Sequence, residues 1–312
     1  MNPFWLFIIG VAQAILLLLL APVYSGFTRV MRAKMHSRQG PPVMQNYRDI
    51  RKLMTRQEVV SEQAGWIFRV TPYVHLACMF LAAMIIPLLT TASPLEAAGD
   101  LILIIYLFAL PRFFFAVAGL ESGSTLSGIG ARRELLISAL VEPILLLVIF
   151  VMALLTGTTN LGSISTEVTS GGFRFSLAYL LGLTAFAFAA YIEMGKLPFD
   201  LGEAEQEVQE GPLAEYSGRS LAILKWSIYL KQMVLVALFL ALFIPFGAMT
   251  SLSLPGLLLA ILVFLLKAVL WYFVASLLEN AMARTRFMNA PAMVWIALGM
   301  AVLSFIFYLA NV

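Results

Sequence analysis

The chain has 312 residues, of which 61% are hydrophobic and only 12% are charged, and its formal net charge is +3. Soluble domains carry about 25% charged residues, so this composition excludes a soluble globular protein. The basic excess is small and no basic run is interleaved with aromatic residues, which excludes a nucleic-acid-binding protein.

Long apolar blocks separated by charged loops predict an all-α, polytopic transmembrane helix bundle. A helix needs about 20 apolar residues to cross the hydrocarbon layer. We place about eight spans, at 3–28, 70–91, 100–119, 134–156, 176–194, 226–247, 254–280 and 292–310. The loops 29–69, 120–133, 195–225 and 281–291 then lie on one side. Together, residues 1–312 are predicted to form a single integral membrane domain.

The basic residues are distributed unequally between the two sides of the predicted bundle. Sixteen of the 20 Lys and Arg residues fall in those four loops, and only Arg174 falls in a loop on the opposite side. Basic residues near span ends resist translocation. We therefore predict a multi-pass protein of the cytoplasmic (inner) membrane, with the basic loops in the cytoplasm, in contact with anionic lipid, and both termini on the periplasmic side.

The sequence offers few ligands for a metal. Cys78 is the single cysteine, and His36 and His75 are the only histidines. An iron–sulfur cluster usually takes four thiolates. We therefore expect no cofactor to be bound by this chain, and any electron chemistry to be carried out by partner proteins.

Four ionisable residues lie deep within predicted spans: Arg112, Glu142, Lys231 and Lys267. A charge inside the membrane is costly, so each marks a candidate proton or ion path. Acids and bases alternating across several spans favour a relay, because a buried ion pair seldom stabilises a protein more than apolar packing does. The alternative, that these charges are structural salt bridges between helices, stays open. We interpret Glu279, at a span end, as structural.

The loop between spans 5 and 6 is dense in acidic residues. Asp200 followed by Glu203 is typical of a helix N-cap, and Gly211 is typical of a helix C-cap, so we predict a short amphipathic helix over about 201–210. Four carboxylates then fall on one face: Asp200, Glu203, Glu207 and Glu210. Clustered carboxylates raise one another's pKa values, which suits proton carrying. The alternative is a solvated acidic helix.

One long motif in this loop carries a family resemblance. The segment Glu193-x-x-Lys-x-Pro-Phe-Asp-x-x-Glu-Ala-Glu-x-Glu-x-x-x-Gly-x-x-x-Glu-Tyr-Ser-Gly218 resembles the signature of the complex I subunit 1 family, the membrane subunit that meets the hydrophilic arm of NADH:quinone oxidoreductase. Further matches are Arg38-Gln-Gly-Pro41, Gly130-Ala-Arg132 and Arg284-Thr-Arg286. The resemblance covers nearly the whole chain, in order, with the same number of spans.

Within that family, the chain is similar to the branch found in membrane-bound group 4 nickel–iron hydrogenases of the hydrogenase 4 and formate hydrogenlyase type. The cues include Glu193-Met-Gly-Lys196 and Arg112-Phe-Phe-Phe115. Complex I itself usually has arginine at the position of Lys196 and a His-Thr pair at the position of Leu213-Ala214. These differences argue against a quinone site.

The resemblance implies an acidic path from a redox module into the membrane, formed by Glu142, Glu193, Asp200, Glu203, Glu205, Glu207 and Glu215. The intramembrane cations Arg112, Lys231 and Lys267 complete the predicted proton path. The resemblance also implies docking by the cytoplasmic loops. The predicted docking residues are Arg38, Gly40, Pro41, Gln45, Arg48, Asp49, Arg51, Lys52, Arg132, Lys196, Tyr216, Arg284 and Arg286. No residue of this chain is predicted to be catalytic.

The resemblance implies partners that hold a nickel–iron centre and iron–sulfur clusters. They are the hydrogenase large subunit and the small subunit with the proximal cluster, iron–sulfur electron-transfer subunits, antiporter-like membrane subunits and, where formate is the donor, a formate dehydrogenase. The predicted function is to anchor the hydrophilic redox arm and to link electron transfer to proton movement. The alternatives are a quinone-site subunit of complex I, a purely structural anchor and a stand-alone secondary transporter; the absence of an internal repeat in the sequence argues against the transporter.

Overall fold

The computed structural model describes residues 3–95, 98–170, 176–202, 204–250, 253–283 and 290–310. Within these ranges the only extended pairings are two isolated bridges, Thr90 with Met249 and Asp100 with Asn160. The helices are α1 Pro3–Met35, α2 Gln45–Met54, α3 Trp66–Ile85, α4 Leu101–Glu121, α5 Thr125–Thr156, α6 Leu161–Ser170, α7 Leu177–Glu193, α8 Glu205–Val208, α9 Gly218–Phe243, α10 Leu254–Ala281 and α11 Ala290–Leu309, with a 3₁₀ turn at Gly211–Glu215. The predicted all-α class is confirmed.

Seven helices are long and apolar enough to cross a membrane, namely α1, α3, α4, α5, α9, α10 and α11. Helix α7 is also apolar, and its 17 residues extend over about 26 Å at a rise of about 1.5 Å per residue. That length is close to the hydrocarbon thickness of about 30 Å. The prediction of about eight spans is therefore confirmed, with α7 as the eighth.

Three helices extend furthest past their predicted spans at the end of the bundle that carries the basic loops, which we call the basic face. Helix α1 continues to Met35 instead of ending at 28. Helix α5 begins at Thr125 instead of 134, and α9 begins at Gly218 instead of 226. Hydropathy detects the apolar part of a helix only, whereas Arg and Lys are also good helix formers and let the helix continue.

At the opposite face, two spans end earlier than predicted. Helix α3 ends at Ile85 and α9 ends at Phe243, before the predicted ends at 91 and 247. The loop that follows α3 is buried, and it pairs with the partly buried loop that follows α9. Met249 N donates to Leu89 O at 2.9 Å, and Thr91 N donates to Met249 O at 3.2 Å. The spans predicted from hydropathy are too long here, because a loop packed in the bundle can be as apolar as a helix.

Side chains from neighbouring helices satisfy the open carbonyls at these two buried helix ends. Gln13 Nε2 donates to the carbonyls of Ala83 and Ile86 at the end of α3, both at 2.7 Å. Lys267 donates to two carbonyls that follow α9, with Ile244 O at 2.6 Å. The last carbonyls of a helix lack intrahelical partners, and in apolar surroundings each needs one. The two caps therefore let α3 and α9 end inside the bundle.

Two short helices, α2 and α6, are absent from the sequence prediction. Helix α2 lies against α1, where its buried Asn46 donates to Pro22 O at 3.1 Å and accepts from Arg29 at 2.8 Å. Ile50 is buried on the same helix, whereas Arg48 and Arg51 are exposed. With ten residues and several charges, α2 gives no hydropathy signal although it is amphipathic.

The predicted helix over about 201–210 is observed only at Glu205–Val208. After it, Gln209, Glu210 and Gly211 have positive φ values of 50°, 65° and 54°, which lie outside the right-handed helical region. Gly211 begins the 3₁₀ turn instead of ending a helix. The expectation that four carboxylates share one helix face is therefore wrong.

Close packing against α5 explains why this segment leaves helical geometry. A Cβ on Gly130 of α5 would lie 2.8 Å from Gly202 O and 2.8 Å from Gly211 Cα. A Cβ on Gly211 would lie 2.3 Å from Gly202 O. Three backbone segments therefore meet where no side chain fits, and this tertiary contact overrides the local capping pattern.

Candidate functional site

Four residues of the predicted proton path meet inside the bundle, and we call them the charge cluster. Glu193, at the end of α7, accepts from Arg112 Nη2 of α4 and lies beside Lys231 Nζ of α9, both at 2.7 Å. Arg112 Nη1 also lies 3.5 Å from Glu142 Oε2 of α5. Two cations and two carboxylates, each from a different helix, thus balance one another.

The members of the charge cluster differ in burial and in the number of partners. The side chains of Glu193, Arg112, Lys231 and Glu142 are 2%, 9%, 13% and 33% exposed. Glu193 contacts both cations, whereas Glu142 contacts one, at a longer distance. Buried charges are tolerated when they are paired and hydrogen-bonded. Glu193 is therefore the central residue of the cluster.

A cavity of about 60 Å³, which we call the inner cavity, lies beside the charge cluster. Its ionisable lining residues are His75, Arg112, Glu134, Glu193, Asp200 and Lys231. Beyond the cluster, a second cavity of about 20 Å³ lies between Arg112 and Glu142 among apolar side chains of α4, α5, α7 and α9. We call the segment 195–217, between α7 and α9, the acidic loop. Ionisable groups therefore follow one another from the acidic loop into the bundle.

A larger open cavity, of about 550 Å³, lies between α1, α2, α9 and the acidic loop. Charged residues of both signs line it: Arg29, Asp49, Lys52, Asp200, Glu210 and Lys225. Asp200 and Ile228 line both this open cavity and the inner cavity. Asp200 therefore lies at the junction between the basic face and the buried charge cluster.

The other residues of the predicted path lie apart from the cluster. Glu207 is exposed and pairs with Arg133 of α5, and Glu215 is half-buried at the end of the 3₁₀ turn. Lys267 caps the end of α9, as described above, so we interpret it as a structural residue that satisfies carbonyls and not as a proton carrier. Glu203 and the side chain of Glu205 lie outside the described residues, as does Arg174 of the topology prediction.

Most of the predicted docking residues are at the surface of the basic face. Arg38, Gly40, Arg48, Arg51, Lys52 and Arg132 are exposed, and Pro41, Gln45 and Asp49 are partly exposed. They lie mainly on α2 and in the loop before it. Arg284 and Arg286 lie outside the described residues.

The prediction that Lys196 and Tyr216 contribute to a docking surface is wrong, because both are buried. Lys196 Nζ lies 3.3 Å from Glu279 Oε1 and 3.4 Å from Thr28 Oγ1. Tyr216 donates to Phe68 O at 2.9 Å, and the two rings stack with centroids 4.0 Å apart. Burial raises the pKa of the Tyr216 hydroxyl, which keeps it protonated as a donor. Both residues attach the acidic loop to the bundle.

His75 and Glu134 also line the inner cavity, and neither is among the site residues predicted from the sequence. Glu134 lies near the end of a predicted span, where a carboxylate can reach water, so its position in the sequence does not indicate a function. In the sequence, His75 is notable only as a residue type that can ligate a metal. The hydropathy of α3 gives no signal for the face that carries His75, because the helix is apolar on several sides.

The charge cluster is suited to handling charge and protons. Within the described ranges, no three His, Cys, Asp or Glu side chains are grouped as metal ligands. Glu193 is instead paired with Arg112 and Lys231, and the adjoining inner cavity is polar and large enough for water. Ionisable residues in that arrangement inside a membrane protein are typical of proton paths.

Comparison with known proteins identifies the family. The family model described as NADH dehydrogenase matches residues 8–310. The chain belongs to the NADH dehydrogenase family. It is 48% identical over 307 residues to Hydrogenase-4 component C of Escherichia coli (strain K12), covering 98% of this chain and 97% of that protein. It is 49% identical over 298 residues to Formate hydrogenlyase subunit 4 of the same organism, covering 96% of this chain and 97% of that protein.

More distant members of the NADH dehydrogenase family also match over most of the chain. A subunit of the NADH-quinone oxidoreductase of Rubrobacter xylanophilus is 30% identical over 254 residues, covering 77% of this chain and 75% of that protein. Among solved structures, a chain of the membrane-bound sulfane sulfur reductase (MBS), an archaeal respiratory membrane complex, superposes with a TM-score of 0.82 at 25% identity. The superposition covers 96% of this chain and 99% of that chain. The predicted family and its hydrogenase branch are confirmed, and the chain is a multi-pass inner-membrane protein.

Proposed function

We propose that this chain is the membrane subunit of a nickel–iron hydrogenase complex of the formate hydrogenlyase or hydrogenase-4 type. One observation carries the proposal: the identity of 48% and 49% to two hydrogenase-system proteins over nearly their full length, against 30% for the quinone oxidoreductase protein. The chain anchors the hydrophilic redox arm and links its electron transfer to proton movement.

The arrangement of charges supports a mechanism of electrostatic coupling. Asp200 faces the open cavity at the basic face, where a docked redox subunit would sit, and also lines the inner cavity. Glu193 follows, and Arg112 joins it to Glu142. A change of charge at one group shifts the protonation of its neighbours, most strongly where water is scarce. A redox event at the basic face thereby moves protons along Asp200, Glu193 and Glu142.

The partners follow from the same proposal. The hydrogenase large and small subunits dock on the basic face, where α2 presents exposed Arg48 and Arg51. Antiporter-like subunits continue the proton path in the membrane, and iron–sulfur electron-transfer subunits deliver electrons, with a formate dehydrogenase where formate is the donor. The nickel–iron centre and the iron–sulfur clusters are held by these partners.

Charge reversal on α2 tests both the docking and the function. Arg48 and Arg51 are exposed, whereas Asn46 and Ile50 hold the other face of the helix against the bundle. Arg48→Glu with Arg51→Glu should therefore leave this chain inserted in the membrane and release the nickel-bearing large subunit. Complementary surface charges hold two partners in the correct relative position, and reversed charges repel the partner. Subunits and nickel that co-purify after mild detergent extraction report the result.

The matched control is Arg48→Lys with Arg51→Lys, which keeps the charge and should keep the complex. Retention of the full complex by the charge-reversed variant would place the contact away from α2. If no nickel-bearing subunit co-purifies even with the unaltered chain, the hydrogenase function itself is wrong.

The open cavity is the observation that favours a second candidate, a quinone-site subunit. Its volume of about 550 Å³ lies within the range of small-molecule sites, about 300–1,000 Å³. Its lining carries six charged residues, whereas small-molecule sites are lined mainly by apolar side chains. Quinone extracted in stoichiometric amount from the purified complex would favour this candidate.

We also propose that residues 1–312 form one integral membrane domain with both termini on the periplasmic side. The support is the placement of the basic loops at one face and the even number of spans. A reporter fused after Val312 should be active only in the periplasm. Cytoplasmic activity of the same fusion would mean that the number of spans is odd or that the orientation is reversed.

A further inference from the structure

His75 of α3 lines the inner cavity but belongs neither to the charge cluster nor to the acidic loop. The residue is 5% exposed, and its Nδ1 atom is buried without a hydrogen-bond partner among the described residues. The ring lines the inner cavity together with Glu193 and Lys231. An unsatisfied buried nitrogen is costly, so the cavity is the place where its partner must be found.

The size and lining of the inner cavity indicate what that partner is. The volume is about 60 Å³, and one water molecule needs about 10–15 Å³ of cavity volume. A few water molecules therefore fit, whereas a small organic ligand needs about 300 Å³ or more. Glu134, Asp200 and Gln232 supply polar partners on the walls. The cavity is thus suited to a short chain of water molecules that includes the His75 ring.

We propose that His75 is a proton-carrying residue, which passes protons from Asp200 and Glu134 to Glu193 through water in the inner cavity. The inference rests on the proton movement assigned to this chain under its proposed function. Imidazole suits the task because its two ring nitrogens can accept and donate a proton in turn.

The proton transfer balances without electrons or a further reactant. A protonated carboxyl group of Asp200 or Glu134 gives its proton to the water chain, and the Nδ1 lone pair takes one up, which forms an imidazolium ion. The proton then passes through water to an oxygen of Glu193, and the ring returns to its neutral form. The number of protons and the total charge are conserved.

The charge cluster gives a reason for a carrier at this position. Glu193 Oε1 is held at 2.7 Å by both Arg112 and Lys231, so a neutral water molecule competes poorly for it. A positive charge on His75 repels those two cations and weakens their hold, because Coulomb forces are strong where water is scarce. Protonation of the ring thereby prepares Glu193 to accept the proton.

His75→Gln in the intact complex tests the inference, because glutamine keeps a polar side chain but cannot carry a proton in this way. The measurement is the number of protons moved per hydrogen molecule produced in membrane vesicles. We expect most of this ratio to be lost, because removal of a positioned proton-transfer group slows proton transfer by about 10²- to 10⁴-fold while hydrogen production continues at the partner subunits. A purely structural role would lower the abundance of the complex and its hydrogen production together and leave the ratio unchanged.

Cys78→Ala is the matched control, since Cys78 is buried on the same helix and does not line the inner cavity; it should leave the ratio unchanged. Glu142→Gln separates this inference from the proposed function. A lowered ratio in Glu142→Gln with an unchanged ratio in His75→Gln overturns the role of His75 alone. An unchanged ratio in both variants, or no proton movement by the unaltered complex, overturns the proposed function and the inference together. If His75→Gln assembles poorly, the ratio in the remaining complex and in His75→Asn decides by the same criterion.

Discussion

Glu193→Gln is expected to remove most of the assembled complex from the membrane, whereas Glu142→Gln is expected to leave its abundance close to normal. Glu193 contacts Arg112 and Lys231 at 2.7 Å, so its neutralisation removes the ion pair of Lys231 and leaves Arg112 with the longer contact to Glu142, at 3.5 Å. Leaving a buried charge without its partner costs about 3–5 kcal/mol. That is a large part of a typical total stability of about 5–15 kcal/mol.

Of the two glutamate variants, Glu142→Gln should leave enough assembled complex for proton movement to be measured. In Glu142→Gln, Arg112 keeps its shorter contact with Glu193, so the chain folds, but the titrating proton is lost and proton movement should fall. Quantitative immunoblots of membranes and proton uptake into vesicles report the two quantities. Adding Lys231→Met to Glu193→Gln removes one unpaired cation and should restore part of the abundance.

Equal losses of abundance in the two single variants would contradict the unequal pairing seen in the charge cluster. Normal abundance with unaltered proton movement in both would contradict the relay for both residues. The purely structural anchor would then be the better interpretation.

Gly130→Ala is expected to displace the acidic loop from α5 and to reduce proton movement along with stability. The added Cβ would lie 2.8 Å from backbone atoms of Gly202 and Gly211, so no side chain can rotate away to make room. Overpacking of this kind costs about 1–3 kcal/mol. The displaced loop carries Asp200 away from the junction of the two cavities, and protease cleavage within 195–217 should become faster.

Gly128→Ala is the matched control for Gly130→Ala, two residues earlier on the same helix. The nearest atom to its added Cβ is Leu120 Cδ2 at 3.7 Å, an ordinary contact. Alanine in a helix interior is more stable than glycine by about 0.5–1 kcal/mol, so the control should be at least as stable as the unaltered chain. Equal protease resistance and proton movement in the two variants would contradict the close approach at Gly130.

The membrane class, the number of spans and the family could be predicted from the sequence because each depends on local composition or on a linear motif. Apolar runs of span length identify membrane helices whatever their neighbours. The motif from Glu193 to Gly218 carries the family resemblance without any knowledge of contacts. The same local signals also mark Arg112, Glu142 and Lys231 as unusual, since charge inside an apolar run is costly wherever the helix packs.

The pairing of those charges depends on the tertiary structure. Lys231 and Lys267 are equivalent in the sequence, as single lysines inside apolar spans, but Lys231 contacts Glu193 while Lys267 caps α9. The rotation of each helix about its axis decides between these outcomes, and packing against the other helices sets that rotation. Local hydropathy contains no information about it.

The acidic loop shows the same division between local and tertiary information. Asp200 and Gly211 have the spacing of helix caps, yet the approach of Gly202 and Gly211 to Gly130 breaks the helix after Val208. Lys196 carries a charge that suggests the surface, yet its buried contact with Glu279 holds it inside. The sequence by itself thus determined a family of membrane helix bundles and a set of costly charges. Only the packing of helices, which fixes side-chain directions and forces buried carbonyls and charges to find partners, decided which of those charges form the site.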